Sequence, residues 1–248
     1  MKRTIAFAIA FFVIVNSYGQ KPSFVYEGYV GSDDVLDPKK LHKWEAQKLS
    51  DYNGIYHFGE SEGETDLLVI AHDSSLVLEI FANDWGKVDN QKRETWRKKA
   101  QVFRGVKITN NAFVSDSLNG FFMSYDLAKG KMYGIIVPDN PGKMDTAEFG
   151  NRKSSVIEHF YFFKGDYPEL SYKLPDTSYF KSRSKEELQV MRNEIYARYG
   201  QRFAKGGKMY AYFSKKEWYS PSRDNVQMCL TEIELRNIAL IKYLESAD

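Results

Sequence analysis

From Tyr52 to Phe163 the chain is cut into short pieces that leave no room for a crossover helix between them. Residues 52–59, 65–72, 75–81, 100–108, 112–115, 120–126, 132–137 and 156–163 are rich in β-branched and aromatic side chains, which favour strands. Between them lie turn signals: Glu62-Gly63, His72-Asp73-Ser74, Thr109-Asn110-Asn111, Leu118-Asn119-Gly120 and Lys129-Gly130. Parallel strands need long crossovers, so these pieces predict an antiparallel sheet, closed as a barrel or stacked as a sandwich. The last of them, Val156-Ile157-Glu158-His159-Phe160-Tyr161-Phe162-Phe163, is apolar on both faces. It is expected at the centre of packing, against whatever follows. Ahead of the strands, Asp37-Pro38 reads as a helix start, with one short helix reaching Leu49.

Beyond Phe163 the period changes. Residues 165–175 hold two prolines among polar residues, and a linker is placed at 171–183. Ser184-Lys185-Glu186-Glu187 is a capping box, in which the Ser184 hydroxyl accepts from the Glu187 amide while the Glu187 carboxylate reaches back. It opens a helix expected to end at Tyr199, with Gly200 as a left-handed cap. Thr231-Glu232-Ile233-Glu234 opens a second helix reaching about Glu245. Tyr210-Ala211-Tyr212-Phe213 and Trp218-Tyr219-Ser220-Pro221 lie between them. The fold class is therefore α+β: an antiparallel β-barrel or sandwich over 20–170, then a small helical domain over 184–248. The β half, to about Tyr172, is expected to fold alone.

On the first helix, Leu188, Met191, Ile195 and Tyr199 share one face. Glu187, Glu194 and Arg198 share another, which reads as the solvent side, with Glu194 and Arg198 at a favourable i,i+4 spacing. Arg192 and Asn193 fall near the apolar border, and Asn237 falls among Ile233, Leu240 and Leu244 on the second helix. A buried amide or guanidinium without partners costs free energy, so these three are expected to bind the backbone of the irregular loops.

The run Leu188…Arg192-Asn193-Glu194-Ile195-Tyr196-Ala197-Arg198-Tyr199-Gly200, with Phe203, Tyr212-Phe213, Trp218-Tyr219-Ser220-Pro221, Glu234 and Asn237-Ile238, resembles the YARHG domain over roughly 184–245. The resemblance implies an exported bacterial protein and no particular activity. The sequence departs from the motif at its histidine, where Tyr199 stands; tyrosine is a poor proton acceptor near neutrality. More loosely, Tyr56-His57-Phe58-Gly59-Glu60-Ser61-Glu62 is similar to lipocalin-like barrels, an analogy of fold only.

Export is also read from the N-terminus. Lys2 and Arg3 precede an apolar run from Ile5 to Val15 that is short for a membrane span, and Ser17-Tyr18-Gly19 offers small residues for cleavage. A signal peptide over 1–19 leaves Gln20 first and no stable membrane span. It also removes Lys2 and Arg3 from a formal charge of +2, which argues against a nucleic-acid partner. Cys229 is the single cysteine, so no disulfide forms within the chain, and it reads as a core residue.

No HExxH, GxSxG, phosphate loop or dinucleotide fingerprint is present. His42, His57, His72 and His159 are scattered. Glu60, Glu62, Glu64 and Asp66 crowd one turn without the spacing of a calcium loop, so no metal, cofactor or catalytic residue is assigned. The candidate binding residues are Arg192, Asn193, Tyr196, Tyr199, Tyr212, Trp218, Tyr219 and Asn237. The expected role is binding at the cell envelope, of a glycan, a peptidoglycan fragment or a partner protein. The alternatives are a lipocalin-like carrier of a small apolar ligand and a hydrolase.

Overall fold

The computed structural model describes residues 29–30, 34–59, 64–87, 94–140 and 143–247. The expected signal peptide and the turn residues Glu60 and Glu62 lie outside them. Strands β1 (Tyr29–Val30) and β2 (Asp34–Val35) pair with each other. The remaining strands are β3 (Leu41–Lys43), β4 (Gly54–Phe58), β5 (Thr65–His72), β6 (Ser75–Lys87), β7 (Glu94–Phe103), β8 (Lys107–Thr109), β9 (Ala112–Val114), β10 (Asn119–Asp126), β11 (Lys131–Asn140) and β12 (Lys143–Ser154). They form one curled antiparallel sheet, ordered β7-β6-β5-β4-β12-β11-β10-β9-β8, with β3 on β10. Two meanders, β4 to β7 and β8 to β12, are joined by β4 against β12, where His57 pairs with Asn151.

Three expectations about this half fail. The strand expected over 100–108 is two: β7 ends at Phe103 on β6, and β8 starts at Lys107 on β9. The helix after Pro38 stops after one 3-10 turn at Lys40, because Leu41–Lys43 pairs with Tyr125–Met123 of β10 instead. Residues 156–163 are not a strand. They form a 3-10 turn (Ile157–His159) and a further turn, with Phe160 N–H donating to the Ile157 carbonyl and Phe163 N–H to Phe160. Local bonds satisfy this backbone, so its rings can pack in several directions. Phe160 and Phe162 lie on Phe81 of the sheet at 4.9 and 4.1 Å, and Phe162 lies on Tyr199 at 5.2 Å. The segment is at the centre of packing as its composition required, as a wedge. The final strand is β12, whose mixed polar sequence hides it.

Strand β5 is buried on both faces, which explains its run Leu67-Leu68-Val69-Ile70. Leu67 and Val69 point into the curl with Tyr52, Tyr56, Phe113 and Phe122. Tyr52 stacks on Phe122 at 3.9 Å and Phe113 meets it at 5.4 Å, so aromatic rings fill the concave face. Leu68 and Ile70 point outward, joining Val77 and Phe81 against Leu188, Met191, Ile195, Ile233 and Ile241. One hydrophobic core thus spans sheet and helices.

The helical part contains α1 (Ser178–Lys181), α2 (Lys185–Arg198), α3 (Lys208–Phe213) and α4 (Glu232–Ser246). Both capping boxes form, Ser184 with Glu187 and Thr231 with Glu234. Helix α2 ends as expected: Gly200 takes φ +78°, its N–H donates to the Ala197 carbonyl, and Gln201 N–H donates to Tyr196. Within 171–183, where a linker is expected, Ser171 and Phe180 are buried and Ser178–Lys181 is a helical turn, while the other residues are partly or fully exposed.

Candidate functional site

Of the α2 face read as solvent-facing, Glu187 stays exposed but the Glu194–Arg198 part is buried. Glu194 and Arg198 have fully covered side chains and form an ion pair at 2.6 Å. Residues 164–171 cross over that face and supply the remaining partners. Arg198 Nε donates to the Lys164 carbonyl at 2.7 Å, Nη2 to the Tyr167 carbonyl at 2.7 Å, and Nη1 to the Ser171 hydroxyl at 2.8 Å. Glu194 accepts the backbone N–H groups of Asp166 and Tyr167 at 2.9 and 2.8 Å. Gly165 allows the approach: its φ is +125°, and a Cβ there would sit 2.3 Å from the Glu194 carboxyl carbon.

The network continues into the sheet. Ser171 donates to Glu234 Oε1 at 2.6 Å, and Thr231 N–H donates to Oε2 at 2.9 Å. The Tyr199 hydroxyl lies 2.9 Å from Glu234 Oε2 and 2.8 Å from Glu79 Oε1. Burial drives the Tyr199 hydroxyl well above the usual tyrosine range, and the two carboxylates push the same way. Two carboxyl groups thus converge on one hydroxyl, but both are completely covered, so no substrate reaches them in this arrangement. Asn237 also anchors this layer, donating to the Leu170 and Lys173 carbonyls, both at 2.7 Å.

The sequence-derived candidates therefore fall in three places. Tyr199 and Asn237 belong to the buried network. Arg192, Asn193 and Tyr196 lie along α2, where Arg192 forms a two-pronged bond to Glu245 at 2.9 and 3.0 Å. Among the described residues Asn193 donates only to the Gln189 carbonyl of its own helix. Of the three polar residues expected to hold loop backbone, Asn237 does so, while Glu194 and Arg198 do what was expected of Arg192 and Asn193. An i,i+4 charge pair carries no mark of burial in sequence. Glu79 was also overlooked, although its setting in Leu76-Val77-Leu78-Glu79-Ile80-Phe81 was a signal: a lone carboxylate in a strand apolar on both faces needs a partner.

The third place is a cluster of rings. Phe213 is fully buried and is ringed by Phe203 at 5.1 Å, Tyr212 at 5.0 Å, Trp218 at 6.1 Å and Tyr219 at 5.9 Å, all partly exposed. Tyr212 is held by Asp166, whose carboxyl Lys216 and Tyr212 keep below the usual range. Tyr219 donates to the Gln201 carbonyl at 2.7 Å. Lys205, Lys208 and Lys215, in the same stretch of chain, are exposed and make no ion pair among the described residues.

With Tyr196-Ala197-Arg198-Tyr199-Gly200 at the centre of both the network and the helix cap, the comparisons agree with the geometry. Residues 164–246 match the YARHG domain. The match begins at Lys164, whose carbonyl Arg198 holds, so the YARHG region takes in the crossing segment as well as the helices. No curated protein and no solved structure matches the chain.

Elsewhere, a groove of about 580 Å³ beside the YARHG region is lined by His72, Asp73, Glu169, Tyr172, Lys173 and Tyr179 among others. Its polar groups are already engaged: Tyr179 donates to Glu169, Lys173 pairs with Glu158 at 2.8 Å, and Arg236 reaches His72 at 2.7 Å and Asp73 at 2.8 Å. His42 pairs with Asp126 and His57 with Asp66, each at 2.8 Å, in separate places. Burial raises the Cys229 thiol above its usual range, and Arg223 contacts its sulfur. No helix among the described residues is long and apolar enough to cross a membrane.

Proposed function

We propose that the chain is a binding protein that acts outside the cytoplasm and holds peptidoglycan on the aromatic surface of its YARHG region. The observation that carries this reading is the ring cluster. Four partly exposed aromatic side chains surround buried Phe213, and the neighbouring stretch of chain carries three exposed lysines, Lys205, Lys208 and Lys215, that make no ion pair among the described residues. Flat rings match the apolar C–H faces of sugars, and lysines match the carboxylates of the peptide stems. The signal-like N-terminus supports export. The carrier reading loses support because aromatic side chains occupy the concave face of the sheet.

Co-sedimentation with insoluble peptidoglycan tests the reading. The wild type pellets at low salt and less so at high salt. A Lys205/Lys208/Lys215→Gln triple variant loses binding severalfold without a change in melting temperature, and Trp218→Ala loses it severalfold at a temperature where circular dichroism shows the variant still folded. A wild type that stays in the supernatant, or variants that pellet equally, would overturn it. Capture of an envelope protein in place of the glycan would move the surface to protein recognition.

A further inference from the structure

Glu79, Tyr199 and Glu234 join three elements: β6, the end of α2 and the first turn of α4. The Tyr199 hydroxyl carries one hydrogen, yet it lies within hydrogen-bond distance of two carboxyl oxygens, at 2.8 and 2.9 Å. With both carboxylates ionised, one of those contacts would set lone pair against lone pair in a fully buried space. One further proton resolves the arrangement. Its place follows from the other partners. Glu234 also accepts from Ser171 and from the Thr231 amide, and Ser171 in turn takes a hydrogen bond from Arg198. Among the described residues Glu79 has Tyr199 alone, and its Oε2 is buried without a partner. The negative charge therefore belongs on Glu234 and the proton on Glu79. Glu79 donates to the Tyr199 oxygen, and Tyr199 donates to Glu234.

We propose that the junction between the sheet and the YARHG region is a proton-held joint, in which Glu79 stays protonated at neutral pH and its ionisation in alkali releases α2 and α4 from β6. The surroundings agree. Burial holds the Glu79 carboxyl well above the usual carboxylate range, and the charge of Glu234 adds to this. Glu234 is raised by burial too, but Ser171, Thr231 and Arg198 oppose the shift. The other polar groups at the joint are Cys229, whose thiol feels both carboxyls, and Arg223 beside it. The strand neighbours of Glu79 are Leu68 and Val102, which carry no charge.

The sign follows from the direction of the shift. A carboxyl whose folded pKa is raised takes up a proton on folding. Its contribution is complete below the unfolded glutamate range and is lost as pH rises through the folded value. The folding constant of the wild type should fall about tenfold per pH unit across that window. Urea unfolding of the full chain from acid to alkaline pH tests this, beside Glu79→Gln, which keeps a donor but cannot ionise. The variant should lack the slope, so that its folding constant gains on the wild type with every unit. The infrared spectrum supplies an independent measurement: a protonated-carboxyl band at neutral pH in the wild type, missing from the variant. Should glutamine not fold, Glu79→Leu matches the apolar strand neighbours and removes the same group. Parallel pH curves, or a wild-type band unchanged by the substitution, would overturn the proposal.

Discussion

Replacing Arg198 with methionine should be among the most damaging single changes in the chain. The side chain fits a similar volume, but it leaves four partners unserved: the carbonyls of Lys164 and Tyr167, the Ser171 hydroxyl and the Glu194 carboxylate. Removing one member of a buried ion pair costs about 3–5 kcal/mol, because the other charge is stranded. In a chain of this size each kcal/mol is worth a few degrees, so the melting temperature should drop by roughly 6–20 °C. A simple charge pair would be rescued by removing the second charge, since buried pairs can often be replaced by apolar residues at little cost. Here Glu194 also accepts two backbone N–H groups, and Arg198 serves two backbone carbonyls. A Glu194→Leu/Arg198→Met double variant would orphan all four. It should therefore be no more stable than Arg198→Met alone. Thermal melts and urea titrations of wild type, both single variants and the double variant complete the cycle. A double variant restored to wild-type stability would refute the view that the pair holds the crossing segment, as would Arg198→Met melting within a degree or two of wild type.

Asn237→Ala should cost about 1–3 kcal/mol in urea unfolding, because two loop carbonyls lose their donor. Asn193→Ala, which loses a bond within its own helix, should cost well under half of that; equal losses would contradict the assignment. Gly165→Ala should destabilise by at least about 1 kcal/mol through its positive φ and the collision with Glu194, measured by the shift in melting temperature.

Much of the fold was legible because it is local. The turn signals place β4, β5, β9, β10 and β11 to within a few residues, although the expected strand 100–108 runs across the break between β7 and β8 and the outer reaches of β6 and β7 were missed, and both capping boxes and the Gly200 cap are written in a few adjacent residues. What was hidden depends on neighbours distant in sequence. The i,i+4 spacing of Glu194 and Arg198 looks the same in water as under a crossing segment, so the helical period alone put them on the wrong side. The apolar run of residues 156–163 announced burial but not conformation, since a wedge between two layers needs the same composition as a central strand. Strand β12 is polar enough to escape notice, and only its pairing with β4 and β11 reveals it.

The pairing of β4 with β12 also sets an order of events. Residue 57 finds its partner at residue 151, so the first meander cannot complete its sheet until the second has been made. Even then the wedge covers Phe81 with Phe160 and Phe162, while Leu68, Ile70 and Val77 lack the cover of α2 and α4 until these arrive from the end of the chain. Contacts this distant along the chain slow folding, because the intervening segment must be closed before it is rewarded. A chain emerging from its N-terminus would hold its stickiest strands open for longest. A fragment ending near Tyr172 would never cover them, and should be found with chaperones or in aggregates where the whole chain is found in solution.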